Sequence, residues 1–78
     1  MEDRKVKAGQ IYRHFKGTEY LVLCLGIDTE TGEPVVVYRD NSDESAVVWV
    51  RPLKTFKSKV DIVKDPDAKQ KYRFELLK

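Results

Sequence analysis

Arginines that accompany aromatic residues are the feature of this sequence with the clearest chemical meaning. They form four pairs: Tyr12 with Arg13, Tyr38 with Arg39, Trp49 with Arg51, and Tyr72 with Arg73. Small β modules hold single-stranded nucleic acid with such side chains, because guanidinium groups contact phosphates and aromatic rings stack on bases. The same residue types also form structural ion pairs and core contacts. The sequence therefore leaves a binding interpretation and a structural one open.

Seven residues are candidate contacts for an anionic ligand such as nucleic acid or a nucleotide: Arg13, His14, Lys16, Tyr38, Arg39, Trp49 and Arg51. Trp49 and Arg51 share one face of a strand, because side chains alternate along it. The structural alternative holds Arg51 or Arg39 with Glu33 or Asp40, and buries Trp49 in the core. A binding role needs part of the Trp49 ring in solvent, so the exposure of that ring separates the two interpretations.

Catalytic and metal-binding chemistry find little support in the sequence. His14 is the only histidine and Cys24 the only cysteine. If Lys16 and Gly17 form a tight hairpin, roughly 13 Å separates the two side chains, at about 3.3 Å per residue. That distance excludes a nucleophile–base pair, and Cys24, inside an apolar run, is expected to be a small buried hydrophobe. The loop carboxylates lack EF-hand spacing. We therefore predict a protein that is not an enzyme and that uses no metal or cofactor.

Length and hydropathy indicate one small domain. A chain of 78 residues buries about 60–65% of its unfolded surface, so the core must be small. The longest apolar stretch, residues 20–27, is far shorter than the roughly 20 residues of a membrane-spanning helix, and the N-terminal residues lack the apolar segment of a signal peptide. We expect a cytoplasmic protein with no membrane partner. A flexible arm is predicted over residues 1–8 and a single β domain over residues 9–78.

The charges are unevenly distributed, although the net charge is only +2. Residues 28–44 hold six acidic residues and one base. Residues 4–16 hold five bases and residues 51–59 hold four, with no acid in either segment. This pattern is typical of a basic face for an anionic partner, and also of an ordinary soluble surface.

Strands separated by glycine-containing and polar turns account for most of the chain. β-branched and aromatic residues predict strands over residues 10–15, 19–27, 34–39, 46–51 and 71–77. After Pro52, three apolar residues recur at helical spacing and predict one or two helical turns over residues 52–59. The predicted fold class is all-β and mainly antiparallel. It is a small SH3-like barrel or a curled sheet, with one short helical turn after the fourth strand.

Three of the predicted strands are apolar on both faces, in residues 20–27, 35–38 and 46–50. A half-exposed antiparallel strand alternates apolar with polar residues, so a second apolar face needs a cover. We expect the segment that starts at Pro52 to provide this cover within the chain. The alternative is a face that meets another protein or a second copy, which predicts a protein-interaction or homodimerisation domain.

Several segments of the sequence resemble a known family. They are Tyr12-Arg13-His14-Phe15-Lys16-Gly17, Thr31-Gly32-Glu33, Val37-Tyr38-Arg39, Trp49-Val50-Arg51-Pro52-Leu53 and Arg73-Phe74-Glu75. In combination they are similar to a family of small bacterial proteins called domain of unknown function 1653, and the resemblance extends over residues 9–76. It implies a small soluble β domain and supplies no activity.

Overall fold

Five antiparallel strands and one short helix form the fold over the residues that the computed structural model describes, 5–44 and 47–78. The strands are β1 (Ile11–His14), β2 (Glu19–Ile27), β3 (Pro34–Asp40), β4 (Trp49–Pro52) and β5 (Phe74–Leu76). The helix α1 (Leu53–Phe56) follows β4 directly. The sheet order is β4-β3-β2-β1-β5, and within the described ranges no ladder joins β4 to β5. The all-β prediction with one helical turn after the fourth strand is confirmed, as an open sheet and not as a closed barrel.

Two glycines allow the tight connections on either side of β2. Gly17 adopts φ 109° between β1 and β2, where its N–H donates to the His14 carbonyl at 2.8 Å. Gly32 adopts φ 74° between β2 and β3, and its N–H donates to the Asp28 carbonyl at 2.7 Å. A side chain at either position would be strained, because L-residues rarely adopt positive φ. The first of these turns brings His14 and Lys16 to the same end of the sheet.

The core lies between α1 and one face of the sheet, which we call the covered face. Phe56 from α1 stacks on Phe74 from β5 with ring centroids 4.1 Å apart and planes 7° from parallel. Tyr12 and Tyr38 meet Phe56 edge-on, at 5.1 and 5.4 Å. Such aromatic contacts contribute about 0.5–1.5 kcal/mol each beyond the area they bury. The other buried residues of the core cluster are Val6, Val22 and Val36.

Val6 shows where the N-terminal segment joins the core. Its side chain is buried, and farther along, the Gly9 N–H donates to the Val22 carbonyl at 2.8 Å. Residues 1–4, the first half of the predicted arm, lie outside the described residues, as do residues 45 and 46 at the predicted start of the fourth strand. The division into an arm over residues 1–8 and a domain over residues 9–78 stays a prediction.

The chain between α1 and β5 folds back along itself. Lys59 and Tyr72 form an isolated antiparallel bridge. On either side of it, the Arg73 N–H donates to the Ser58 carbonyl and the Val60 N–H to the Lys71 carbonyl, both at 2.9 Å. Because residues 71–73 pair with this returning segment, β5 begins at residue 74 instead of the predicted 71. This pairing fixes Arg73 beside the end of β1.

The opposite side of the sheet, which we call the open face, carries mostly aliphatic residues, and no helix of the described residues packs over it. Leu21, Cys24, Val35, Val37 and Val50 lie on it, by the register of β2, β3 and β4. Val50 is 63% exposed and Cys24 is exposed. The expectation that the Pro52 segment covers the second face is wrong, because the four residues of α1 pack on the aromatic side instead.

A β-bulge explains why Cys24 is exposed although it was expected to be buried. Tyr20 and Val22 lie on the covered face, and strict alternation would place Cys24 there too. The pairing shifts by one residue between Val22 and Cys24, so that Cys24 pairs with Val37. The extra residue, Leu23, moves Cys24 to the open face.

Within the described residues, no helix has both the length and the apolar character needed to cross a membrane.

Candidate functional site

Five of the seven predicted ligand-binding residues meet in one pocket at the end of the sheet. The pocket has a volume of about 410 Å³, and its lining residues are His14, Phe15, Lys16, Tyr20, Tyr38, Trp49, Arg51, Asp65 and Arg73. Strand pairing brings them together, because Trp49 pairs with Tyr38, and His14 pairs with Phe74. Since paired residues and residues two apart share a face, the strand residues of the lining lie on the covered face: His14, Tyr20, Tyr38, Trp49 and Arg51.

Arg51 is the best-positioned cation of the pocket. Its Nε–H donates to the Tyr38 hydroxyl at 3.1 Å, and its Cζ lies 5.5 Å from the centroid of the Phe74 ring. The hydrogen bond and the cation–π contact hold the guanidinium in one orientation. The structural alternative of an ion pair with Glu33 or Asp40 is not what the structure shows. Among the described residues, no carboxylate lies within ion-pair distance of Arg51, and the two Nη nitrogens remain available to a ligand.

Arg73 and Lys16 supply the other two positive charges. The Arg73 Nε–H donates to the Ser58 hydroxyl at 3.3 Å, and the Arg73 carbonyl accepts the Phe15 N–H at 2.9 Å. The Lys16 Nζ lies 5.8 Å from the centroid of the Phe15 ring. Neither cation is ion-paired within the described part of the chain. Asp65 is the one acidic residue of the lining.

The pKa of His14 reflects its burial and the positive charges around it. The Lys16 N–H donates to its Nδ1 at 3.2 Å, which places the proton of the neutral ring on Nε2. The ring packs edge-on against Phe74 with centroids 4.9 Å apart. Burial lowers the pKa of His14 below 6.5, and the charges of Arg51, Arg73 and Lys16 lower it further, while Asp65 acts in the opposite direction. The imidazole is therefore neutral at pH 7, in a pocket that favours negative charge.

Trp49 lies at the rim of the pocket with half of its surface in solvent. Its exposure is 50%, whereas Tyr38, its partner across the β4–β3 ladder, is buried. The difference arises because β4 is an edge strand and has no neighbour on its other side. An indole in this position offers an accessible flat face, which the binding interpretation required.

Arg13 and Arg39 lie on the other side of the sheet, away from the pocket. The Arg13 Nε–H donates to the Gln70 Oε1 at 3.4 Å. Arg39 donates from Nη1 to the Asp40 carbonyl at 2.9 Å, and its Nη2 lies 3.9 Å from a Glu44 carboxylate oxygen. Each arginine follows a tyrosine of the covered face by one residue, and alternation turns it to the open face.

Four lining residues were not among the predicted contacts: Phe15, Tyr20, Asp65 and Arg73. Arg73 belongs to the fourth arginine–aromatic pair of the sequence, so a signal for it was present. Tyr20 lies on the same face of β2 as Val22, and Val22 pairs with Tyr38. This register could not be read from the sequence, so nothing placed Tyr20 beside Tyr38. Asp65 lies in the long connection between α1 and β5, and nothing in the sequence placed that loop beside β1.

Comparison with known proteins gives a family. A family model described as a protein of unknown function (DUF1653) matches residues 10–76. The matched segment begins one residue before β1 and ends at the last residue of β5, so it contains every strand, α1 and the whole pocket. No curated protein and no solved structure matches the chain.

Proposed function

The chain belongs to the DUF1653 family of proteins of unknown function, and we propose that it is a small cytoplasmic binding module for an anionic ligand of the nucleic acid or nucleotide class. One observation carries the proposal. Three cationic side chains without a carboxylate partner among the described residues, Lys16, Arg51 and Arg73, line the same pocket as a half-exposed tryptophan. Guanidinium groups bind phosphate through paired N–H donors, and an indole stacks on a base.

Electrostatics favours an anion in this pocket. Three cationic side chains face one carboxylate, that of Asp65, which gives a formal excess of two positive charges while His14 is neutral. An anion that enters does not have to break an ion pair with Arg51, since that guanidinium is held by a hydroxyl and an aromatic ring. The orientation is therefore set before the ligand arrives, which lowers the entropic cost of binding.

Trp49 favours an anion that also carries a planar ring. A simple inorganic anion would use the cations and leave the indole without a role. A base stacked on an aromatic side chain contributes about 1–3 kcal/mol. Trp49 and Arg51 lie on the same face of β4, two residues apart, so one ligand that carries both a planar ring and a phosphate reaches both.

The proposed role is binding without turnover. His14 is the only histidine, and its Nδ1 already accepts the Lys16 N–H. A general base needs a free lone pair within reach of the proton it removes. In the neutral ring that lone pair is occupied, and the remaining nitrogen, Nε2, carries a proton.

An NMR titration with a mixed-sequence single-stranded oligonucleotide at two salt concentrations tests the proposal. Shifts are expected at His14, Trp49 and Arg51, and the affinity should fall as salt rises, because counterions are released from the phosphates. Arg51→Ala should weaken binding by roughly 10- to 100-fold, since a charged hydrogen bond contributes about 1.5–3 kcal/mol.

Arg39→Ala is the matched control, because Arg39 lies on the open face. It should leave the affinity unchanged. The absence of shifts with both the oligonucleotide and a nucleoside monophosphate, or an equal loss in the two arginine variants, would contradict the proposal. A large fall in the melting temperature of Arg51→Ala, with no specific loss of binding, would show that Arg51 is structural.

The open face supports a second candidate function, homodimerisation. Val50 is 63% exposed and neighbours Val37 across the β4–β3 ladder, which gives an uncovered aliphatic surface. A second copy would bury this surface. Light scattering at micromolar concentration should then give twice the monomer mass, and Val50→Lys should restore the monomer. A monomeric wild-type protein would exclude this second candidate.

A further inference from the structure

We infer that the pocket takes one nucleotide with a terminal phosphate monoester, either a free nucleoside monophosphate or the phosphorylated end of a strand, and does not hold the interior of a strand. The inference rests on the proposed function and specifies its ligand. Three features of the structure support it: the charge of the pocket, its size, and the chemistry of the residues at its two sides within the described part of the chain.

The charge of the pocket matches a dianion. Lys16, Arg51 and Arg73 face the single carboxylate of Asp65, which leaves a formal excess of two positive charges. A phosphate monoester carries about −1.5 to −2 at pH 7. A phosphodiester in the interior of a strand carries one negative charge per residue. The monoester therefore neutralises the pocket, whereas a single internal phosphate leaves one positive charge without a counterpart.

The size of the pocket matches one nucleotide. Its volume of about 410 Å³ is at the small end of the roughly 300–1,000 Å³ found for small-molecule sites. Modules that bind the interior of a single strand hold about 4–16 nucleotides along a positively charged groove. The cations found here, Lys16, Arg51 and Arg73, instead converge on one concavity.

One side of the pocket is bordered by acidic residues. An adjoining concavity of about 250 Å³ shares Phe15 and Asp65 with the pocket, and Lys64 and Asp67 are its other charged lining residues. A phosphodiester chain that left the pocket on this side would pass two carboxylates and only one lysine. Repulsion from Asp65 and Asp67 therefore disfavours a strand that continues past the cation cluster.

Beyond Trp49, the two residues that precede it in the chain are apolar. Val47 and Val48 precede Trp49 directly, and both side chains are exposed. A base can stack on the indole there, but the next phosphate would have no positive partner on these two residues. The arrangement therefore provides for one phosphate and one base.

Fluorescence of Trp49 tests the inference, because it is the only tryptophan and lies at the rim of the pocket. The probes are a short mixed-sequence oligonucleotide with a 5′-phosphate, the same oligonucleotide with a 5′-hydroxyl, its 3′-phosphorylated form, a nucleoside monophosphate and the bare nucleoside. The tightest phosphomonoester probe should bind at least about tenfold more tightly than the hydroxyl-ended oligonucleotide, since it adds one charge-assisted contact.

The two sources of the monoester are distinguished in the same experiment. Equal affinity of the nucleoside monophosphate and the phosphorylated oligonucleotide identifies a free nucleotide as the ligand. A clearly tighter phosphorylated oligonucleotide identifies a strand end, and the comparison of its 5′ and 3′ forms identifies which end. Either result supports the inference.

Asp65→Asn provides the matched variant. The control is Glu30→Gln, in the turn between β2 and β3 at the end of the sheet opposite the pocket. Removal of the Asp65 charge should raise the affinity for the hydroxyl-ended oligonucleotide several-fold, whereas Glu30→Gln should leave it unchanged. A hydroxyl-ended oligonucleotide that binds wild-type protein as tightly as the phosphorylated one would overturn the inference and leave the proposed function intact. No fluorescence response and no NMR shift with any of the probes would overturn both.

Discussion

The two faces of the same sheet have opposite chemistry. The covered face holds the aromatic residues Tyr12, Tyr38 and Phe74 under α1, and these side chains are buried. The open face holds aliphatic residues such as Val37 and Val50, and nothing among the described residues packs over them. The strands β2 and β3 place apolar residues on both faces, so apolar character alone does not decide which face is covered.

In so short a chain, the size of the side chains decides which face of the sheet is covered. One four-residue helix covers only a small area, and the largest rings bury the most surface there. Phe56 reaches Tyr12, Tyr38 and Phe74 at once, with centroid distances of 5.1, 5.4 and 4.1 Å. The same cluster extends through Phe74 to His14 and Arg51, and Tyr38 belongs both to the core and to the lining of the pocket.

The largest effect is expected for Phe56→Ala on the covered face. Phe56 is completely buried, so its loss should reduce the free energy of unfolding by about 3–5 kcal/mol. Val50→Ala on the open face should cost less than about 0.5 kcal/mol, as for other exposed positions. Urea denaturation measures both, and Phe56→Leu serves if the alanine variant does not fold. Equal losses at the two positions would mean that the open face is covered in solution.

Two residues of β2 allow the same comparison of the two faces with a smaller expected loss of stability. Val22 is buried on the covered face and Cys24 is exposed on the open face, on opposite sides of the bulge. Val22→Ala should lose about 2 kcal/mol, from the apolar area that Val22 buries, and Cys24→Ala less than about 0.5 kcal/mol.

Labelling of the native thiol gives an independent measurement of the bulge. Cys24 should react with a thiol reagent at a rate close to that of the unfolded chain, because it is exposed. Protection that disappears on dilution would show that a second copy covers the open face. Protection at every concentration would mean that the bulge places Cys24 differently.

The strands could be predicted from the sequence because their signals are local. β-branched residues and the turn glycines Gly17 and Gly32 gave the bounds of β2 without error and those of β3 to within one residue. The bulge in β2 could not be predicted, since it depends on pairing with β3 and leaves no mark in the alternation of apolar residues. The open sheet could not be told from a barrel either, because the order of strands is set by contacts that are distant in sequence.

The pocket shows the same division between local and distant signals. Trp49 and Arg51 were recognised because they lie two residues apart on one strand. Arg73 and Asp65 reach the pocket through the pairing of residues 58–60 with residues 71–73, which is a tertiary contact. Arg13 and Arg39 had suitable residue types, but strand alternation places them on the open face.

Tyr38→Phe tests whether the covered face and the pocket are one unit. Its hydroxyl accepts the Arg51 Nε–H at 3.1 Å, and removal of this hydrogen bond should cost about 1 kcal/mol of stability. The affinity for the nucleotide probes should also fall, because the guanidinium loses its orientation. Tyr12→Phe is the control, because Tyr12 lies on the same face and packs on Phe56 but does not line the pocket. An unchanged affinity in Tyr38→Phe would show that Phe74 alone positions Arg51.

The smallest effect is expected from the titration of His14, and it concerns the covered face only. The pKa of His14 is lowered in the folded protein, first by burial and then by Arg51, Arg73 and Lys16, against the opposing charge of Asp65. Above pH 6.5, the ordinary pKa of a histidine, the ring is neutral in both the folded and the unfolded protein, so its full contribution to stability is present. As the pH falls below that value, the unfolded chain binds the proton first, so stability declines until the pH passes the folded pKa. Melting temperatures between about pH 5 and 8 should therefore fall on the acidic side in the wild-type protein and less in His14→Gln.

A bound phosphomonoester should reverse this trend. An anion beside His14 raises the pKa of the ring toward or above its ordinary value, so protonation then adds a favourable contact instead of a penalty. The liganded wild-type protein should melt at a higher temperature than liganded His14→Gln, and this difference should grow as the pH falls from about 8 toward 5. The effect requires that the phosphate keeps its second charge. If ligand leaves the pH dependence unchanged, the bound anion does not lie beside His14, and this would contradict the placement of the phosphate among Lys16, Arg51 and Arg73.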